Sequence, residues 1–267
     1  MFQVRSLLLD LATSAAGTVE VTAAAQIRPL GRSPASLPGI RADTSALNGL
    51  WLRRESTLPV HRSIFAVDIE GSTRRTNTMK EELRKQVYRL VLEALGATGI
   101  DDHYYDPFTD RGDGVLVLIH PADQFPKPLL LSCLIPALAS LLATHNSRIP
   151  LADQPRMLRL RAVIHAGEVH HDGKGFYGED LDVAFRLLDA PRLKAQLRSA
   201  TGPLALVASD HIYRSIIRHG YDGINGEEFF PIVTVNVGAE RRKGWVHFPR
   251  AGEVPVTVPA QARVLIG

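Results

Sequence analysis

Residues 64–76 read IFAVDIEGSTRRT and combine the features of a buried strand with those of a binding site. An apolar, β-forming run reaches Asp68, and Gly71, Ser72 and Thr73 follow at the start of a predicted helix. A strand that ends in this way presents a carboxylate beside free backbone N–H groups, which suits a metal-bound phosphate. Taken alone, however, the stretch is explained more simply by Asp68 or Thr73 as a helix cap.

Composition sets the broad class of the protein. The chain has 267 residues, of which 45% are hydrophobic and 22% charged, so it can bury a full core. Its single cysteine, Cys133, excludes an internal disulfide framework and predicts a reducing compartment, hence a cytoplasmic protein. No secretion signal is recognised at the start, and we predict that the apolar stretch near residues 128–146 is a buried helix that does not enter a membrane. The net charge of +3 is too small to indicate nucleic-acid binding.

The order of predicted elements indicates the fold. Residues 1–58 are predicted to be an extension and linker, strand-like at 17–27, before a main domain at 59–250 and a tail at 251–267. The resulting β-α-β-β-α-β order predicts an α+β, ferredoxin-like sheet with helices on one face and a strand, a helix and a terminal strand pair added after it. Strands are predicted at 62–69, about 102–109, 114–120 and 157–167, and helices at about 74–96, at 127–146 and within 181–191.

A second carboxylate lies in the predicted hairpin turn DRGDG, where Asp113 stands between two glycines. An Asp-Gly pair is ordinary hairpin chemistry. In this topology, however, the first strand and the hairpin are neighbours, so Asp68 and Asp113 are expected to converge. Two carboxylates beside a helix N-terminus form a site suited to paired divalent cations and a triphosphate.

Three motifs resemble those of the class III nucleotidyl cyclases. FAVDIEGST at 65–73 is similar to the first metal motif of that family, and RGDGVLVLI at 111–119 is similar to the second. The stretch RLRAVIHAGEVHHDGKGFYGEDLDVAFRLLDA at 159–190 is similar to a later strand, loop and helix of the family. The resemblance extends from about residue 61 to 250.

The resemblance implies a two-metal active site. Asp68, Asp113 and the Ile69 carbonyl would bind two Mg²⁺ or Mn²⁺ ions, and the backbone N–H groups from Ile69 to Thr73, with Ser72 and Thr73 at the end of this run, would hold the β- and γ-phosphates. The substrate would be a nucleoside triphosphate. Because the active site in this family lies between two domains, the resemblance also implies a head-to-tail homodimer with shared active sites.

The resemblance also implies roles in catalysis and in base recognition for further residues. Arg186 matches the arginine that stabilises charge on the α-phosphate. Asp182 stands where the family usually has a ribose-orienting Asn, and Thr109 and Gly175 stand where purine cyclases have their base contacts. The chain is similar in this respect to bacterial pyrimidine cyclases of the anti-phage Pycsar type. This similarity predicts a cyclic pyrimidine nucleotide, cUMP rather than cCMP, that activates a separate effector.

Some assignments stay open. The family's phosphate-binding lysine has Lys243 as its nearest candidate and Arg241 as the second. A purine cyclase with unusual base contacts remains an alternative, as does a non-catalytic nucleotide-sensing dimerisation module. His165, His170 and His171 are not expected to form a metal cluster, because His170 faces the opposite side of a strand from the other two.

Overall fold

The computed structural model describes residues 58–252. The predicted strand-like segment at 17–27 lies outside these residues, as do nearly all of the predicted extension and of the C-terminal tail. The described helices and strands are β1 Val60–Ile69, α1 Asn77–Ala97, β2 Thr109–Asp110, β3 Gly114–Ile119, α2 Ile135–Ser147, β4 Leu160–His171, β5 Phe176–Tyr177, α3 Glu179–Leu188, α4 Pro191–Ser199, β6 Leu204–Ser209, α5 Asp210–Ser215, β7 Phe230–Val237 and β8 Glu240–His247.

The strands form one mixed sheet in the order β2-β3-β1-β4-β6-β8-β7, and β5 pairs with β4. The interior strand β1 pairs antiparallel with both β3 and β4, while β4 and β6 are parallel. The first four strands therefore have the ferredoxin-like arrangement, and β6 to β8 extend it. The predicted α+β class, its βαββαβ core and its C-terminal additions are confirmed.

The two faces of the sheet are covered by different helices. Along β1, the side chains of Phe65 and Val67 pack in one apolar cluster with α1 and α2, whereas Ile64 and Ala66 pack in a second cluster with α3 and α4. This alternation follows from the two-residue repeat of a strand. The prediction of helices on one face was therefore wrong for the complete domain, since α3 and α4 cover the opposite face.

Two further differences concern short elements. The strand predicted near 102–109 is reduced to the two residues of β2, because the Asp101 carboxylate accepts a hydrogen bond from the His103 N–H (3.0 Å) and residues 102–104 form a 3₁₀ turn. Pro107 also lacks an N–H for strand pairing. Helix α4, which was not predicted from the sequence, begins at Pro191, a residue that suits the first turn of a helix.

The apolar segment before residue 148 is a core helix in this structure. A π-helical turn at Leu130–Leu134 leads into α2, and Leu134, Leu138 and Leu142 are fully buried. Among the described residues, only Leu130–Ser147 is long and apolar enough to cross a membrane, with a mean hydropathy of 1.3, and half of it is buried inside the protein. The buried Cys133 belongs to this segment, and burial raises the pKa of its thiol.

Candidate functional site

The pairing of β1 with its two neighbours places Asp68 opposite Gly114 of β3 and Arg161 of β4. The next residue, Ile69, donates its N–H to the Asp113 carbonyl oxygen at 3.0 Å. The backbone of Asp113 is therefore attached to β1 one residue after Asp68. Both aspartates line the same cavity, so the structure brings together the two carboxylates singled out in the sequence.

Gly114 makes this close approach possible. A Cβ atom at this position would lie 2.1 Å from the Val67 carbonyl oxygen and 3.2 Å from the Asp68 Cα atom. No side chain fits in that space, so a glycine is required where the hairpin meets β1. The Asp-Gly pair thus has a packing function in addition to forming the turn.

The cavity has a volume of about 800 Å³ and an excess of positive charge. Four carboxylates and seven cationic side chains line it. Such an excess attracts a polyanion, and the carboxylates give the same cavity a place for a cation. The cationic residues are Arg74, Arg75, Arg111, Arg159, Arg161, Lys194 and Arg198, and the acidic ones are Asp68, Glu70, Asp113 and Asp189.

Each of the two aspartates already has a partner on a neighbouring element. The Arg161 guanidinium forms an ion pair with Asp68, and the side chains of these residues are only 8% and 17% exposed. The Ser72 hydroxyl donates a hydrogen bond to the Asp113 carboxylate. Both carboxylates are therefore oriented by side chains of the same protomer.

Arg161 was missed as a site residue in the sequence. Its place in β4 could have indicated this role. Side chains alternate between the two faces of a strand, so Arg161 lies on the same face of the sheet as the buried Val163. Burial lowers the pKa of Arg161, Asp189 opposes this effect, and Arg198 adds to it through like charge. The Nε atom of Arg161 is buried and has no hydrogen-bond partner within residues 58–252.

The turn after β1 is fixed by its backbone and by an arginine. Gly71 adopts φ +67°, a left-handed conformation that favours glycine, and residues 72–74 form a 3₁₀ turn. The Arg75 guanidinium donates to the carbonyl oxygens of Glu70 at 3.1 Å and Met157 at 3.0 Å. Ser72 is buried, whereas Thr73 is exposed, and both line the cavity.

Asp182 and Arg186 are not among the residues that line this cavity. They are one helical turn apart on the exposed side of α3, and neither lines the cavity. Phe185 and Leu188 of the same helix do line the cavity, and the Arg111 guanidinium lies 3.5 Å from the centre of the Phe185 ring. One protomer therefore keeps this predicted catalytic pair apart from the two aspartates.

The remaining predicted binding residues also lie outside the cavity. Thr109 is on β2 opposite Leu116, and the Gly175 N–H in the β4–β5 turn donates to the Asp172 carboxylate at 2.9 Å. Lys243 is exposed on β8 and lines a second cavity of about 590 Å³ together with Arg241.

The three histidine residues considered in the sequence are separated. His165 is buried, with Nδ1 2.7 Å from Ser209 Oγ and Nε2 3.0 Å from Asp180 Oδ1. The His170 ring stacks on Tyr177, and the His171 ring contacts Phe176. These contacts assign the three side chains to packing and to hydrogen bonding.

The donors at the end of β1 fit an oxygen-preferring divalent cation. Asp68 and Asp113 supply carboxylate oxygens, and the Ile69 backbone, which donates its N–H to Asp113, faces the same side with its carbonyl oxygen. A second acidic group, at residues 101–103, is exposed and does not line the cavity. Carboxylate and carbonyl oxygens are the ligands that hard divalent cations such as Mg²⁺ prefer, and the end of β1 supplies both kinds beside the cavity.

No model of a known protein family matches the sequence, and no curated protein matches it either. The guanylyl cyclase Cya2 has a similar structure, with 15% identity and a TM-score of 0.50 over 74% of this chain and 97% of that chain. The adenylate/guanylate cyclase/hydrolase from Silicibacter pomeroyi gives 16% identity and a TM-score of 0.49 over 72% and 98% of the two chains. The likeness to Cya2 concerns the fold, and we conclude that the described part of this chain has the mixed α+β fold of a nucleotide cyclase domain.

Proposed function

We propose that this protein is a nucleotidyl cyclase, which converts a nucleoside triphosphate into its 3′,5′-cyclic monophosphate and pyrophosphate. The ribose 3′-oxygen forms a bond to the α-phosphorus, the bond from this phosphorus to the oxygen that bridges to the β-phosphate breaks so that pyrophosphate leaves, and the proton of the 3′-hydroxyl passes to water. The observation that carries the proposal is the junction of β1 and β3, which brings Asp68 and Asp113 into one cationic cavity beside the Gly71–Thr73 turn.

Asp68, Asp113 and the Ile69 carbonyl would hold two divalent cations, Mg²⁺ or Mn²⁺, which when bound neutralise the triphosphate and lower the pKa of the 3′-hydroxyl. The protein's own groups orient the reactants. Ser72 fixes the Asp113 carboxylate, and the positive excess of the cavity attracts the triphosphate. Of the backbone N–H groups from Ile69 to Thr73, those of Ile69 and Glu70 already donate to the carbonyl oxygens of Asp113 and Arg159, so this part of the prediction is wrong and the N–H groups of Gly71 to Thr73 would bind phosphate.

The separation of Asp182 and Arg186 from the cavity supports a site shared between two copies of the chain. In a two-fold, head-to-tail homodimer, the exposed side of α3 from one protomer would face the cavity of the other. Arg186 would stabilise charge on the α-phosphate, Asp182 would accept a ribose hydrogen bond, and Lys243 or Arg241 would contact phosphate.

For the base, we propose a pyrimidine, with UTP preferred over CTP. Thr109 and Gly175 supply neither of the purine-type base contacts, and a purine would leave polar groups unpaired. In this proposal the protein is cytoplasmic, and its cyclic product activates a separate effector in anti-phage defence. The alternatives are a purine cyclase with unusual base contacts and a nucleotide-sensing dimerisation module without turnover.

The test is incubation of the purified protein with Mn²⁺ and each of ATP, GTP, CTP and UTP, with products resolved by mass. We expect cyclic UMP from the wild type and no product from Asp113→Ala. Asp123→Ala is the matched control, because Asp123 is exposed and does not line the cavity.

Each other outcome selects an alternative. Formation of cyclic AMP or cyclic GMP would support the cyclase activity and contradict the proposed preference for a pyrimidine substrate. Nucleotide binding without any product would favour the sensing module, and product from Asp113→Ala would show that the two-carboxylate assignment is wrong.

A further inference from the structure

The ion pair between Arg161 and Asp68 has implications for how the cavity takes its ligands. The two residues are directly opposite each other on β4 and β1, so their side chains leave the sheet on the same face. Their positions are set by the centre of the sheet and not by a loop. Asp68 therefore has a positively charged partner built into the fold at the point where a divalent cation would bind.

Arg161 has little access to water and few other partners. Its side chain is 8% exposed, and its Nε atom is buried without a hydrogen-bond partner among residues 58–252. The nearby carboxylate of Asp189 is paired with Lys194, and Arg198 repels Arg161. If Asp68 turned to a metal ion, Arg161 would be left as a buried, unpaired cation, which is strongly unfavourable.

An anion in the same cavity removes this difficulty. Asp68 and Arg161 both line the cavity, so a phosphate group beside a cation on Asp68 is within reach of a guanidinium that has left it. The guanidinium and its orphan Nε would then donate to phosphate oxygens, for which its planar geometry is suited. Cation binding and polyanion binding would therefore each supply what the other requires.

We propose that Arg161 acts as an internal cation that competes with the divalent ion for Asp68, so that divalent cations and polyphosphate bind to this cavity in a mutually dependent way. The inference rests on the proposed cation site at Asp68. It adds Arg161 as the residue that determines when the Asp68 carboxylate is free to bind a cation. The coupling is reciprocal, because any ligand that removes one member of the pair frees the other.

The first experiment measures Mn²⁺ binding to the full chain without nucleotide, from the electron paramagnetic resonance signal of free Mn²⁺. We expect Arg161→Gln to bind Mn²⁺ about tenfold or more tightly than the wild type. The matched control is Arg159→Gln, which removes one positive charge from the same cavity but is paired with Glu70. Its effect should stay within about threefold, and Arg161→Gln combined with Asp68→Asn should lose the gain.

The second experiment measures metal-free binding of inorganic tripolyphosphate by calorimetry, and it does not depend on the folding of the Arg161 variant. Asp68→Asn should tighten binding by about tenfold, because it frees Arg161. Glu70→Gln removes the same charge from the cavity, but its partner Arg159 keeps hydrogen bonds to the carbonyl oxygens of Leu197 and Ala200, so binding should tighten by no more than about threefold. Equal effects of the two variants would overturn the proposal, as would Mn²⁺ binding that is the same in Arg161→Gln and Arg159→Gln.

These measurements separate this inference from the proposed function, because neither requires turnover. If cyclic nucleotide forms but the variants behave alike, the coupling is wrong and the cyclase assignment stands. If the coupling is seen and no product forms, Arg161 regulates a nucleotide-binding site without turnover. If no variant binds Mn²⁺, both the coupling and the cation site at Asp68 are wrong.

Discussion

At the scale of single residues, Ser72 is the side chain that orients Asp113. Its hydroxyl is buried beside the cavity and donates to the carboxylate. We expect Ser72→Ala to lower cyclase activity roughly 10- to 100-fold, because a group that orients a metal-binding carboxylate contributes on this scale. The Mn²⁺ concentration for half-maximal activity should rise. Ser199→Ala, which removes an exposed hydroxyl at the end of α4, is the control, and an equal loss there would contradict this role.

Gly114 gives a prediction about stability. Since a Cβ atom there would lie 2.1 Å from a backbone oxygen, Gly114→Ala should lower the free energy of unfolding by about 1–3 kcal/mol. At Gly96 in α1, a Cβ atom would have no neighbouring atom within 4 Å, so Gly96→Ala should stabilise the protein by about 0.4–1 kcal/mol. Urea denaturation of both variants tests the difference. Equal effects would show that the backbone at Gly114 relaxes easily.

At the scale of elements, the first turn of α3 is tied to β4 through Asp180. Its carboxylate meets the His165 ring at 3.0 Å and accepts the Glu168 N–H at 2.7 Å. The hydrogen bond with His165, helped by the Glu168 N–H, holds the pKa of Asp180 below its usual range although burial opposes this. A carboxyl group whose pKa is lowered by folding stabilises the fold at pH values above its pKa in the unfolded chain. This stabilisation is lost as the pH falls through its pKa in the folded protein.

We therefore expect the stability difference between the wild type and Asp180→Asn to shrink as the pH falls below roughly 4. Urea midpoints measured from pH 6 to pH 2.5 would show this. Asp123→Asn is the control, because Asp123 is exposed and makes no ion pair with any residue between 58 and 252. A difference for Asp180→Asn that is independent of pH would contradict an ionic contribution.

The helices and strands also show which parts of the structure could be predicted from the sequence. Alternating apolar residues and the Asp-Gly turn predicted the βαββαβ core and the meeting of Asp68 with Asp113, because both depend on local patterns. Local patterns could not predict the ion pair between Arg161 and Asp68. This contact depends on the register between β1 and β4, and the two residues are 93 positions apart in the sequence. They also could not show α4, whose short amphipathic pattern is stabilised by packing on the sheet.

At the scale of the whole molecule, the separation of Asp113 from Arg186 makes the dimer testable. Asp113→Ala and Arg186→Ala should each be inactive alone. After mixing and subunit exchange, half of the dimers would be mixed and each would have one intact site of two, so about a quarter of the wild-type activity should return.

Native mass spectrometry of the mixture confirms that subunits have exchanged. If mixed dimers form and no activity returns, the two residues act within one protomer and the shared site is rejected. Two copies of Asp113→Ala with different tags provide the control for exchange without complementation.

The order of β1, β3 and β4 along the chain also sets the order in which the parts of the site are synthesised. Asp68 and Asp113 can meet once β3 has been made, at residue 119, whereas Arg161 follows about 40 residues later. At roughly 5–20 residues per second this is a delay of several seconds. The nascent chain therefore contains both carboxylates before it contains Arg161, the cation that pairs with Asp68 in the folded protein.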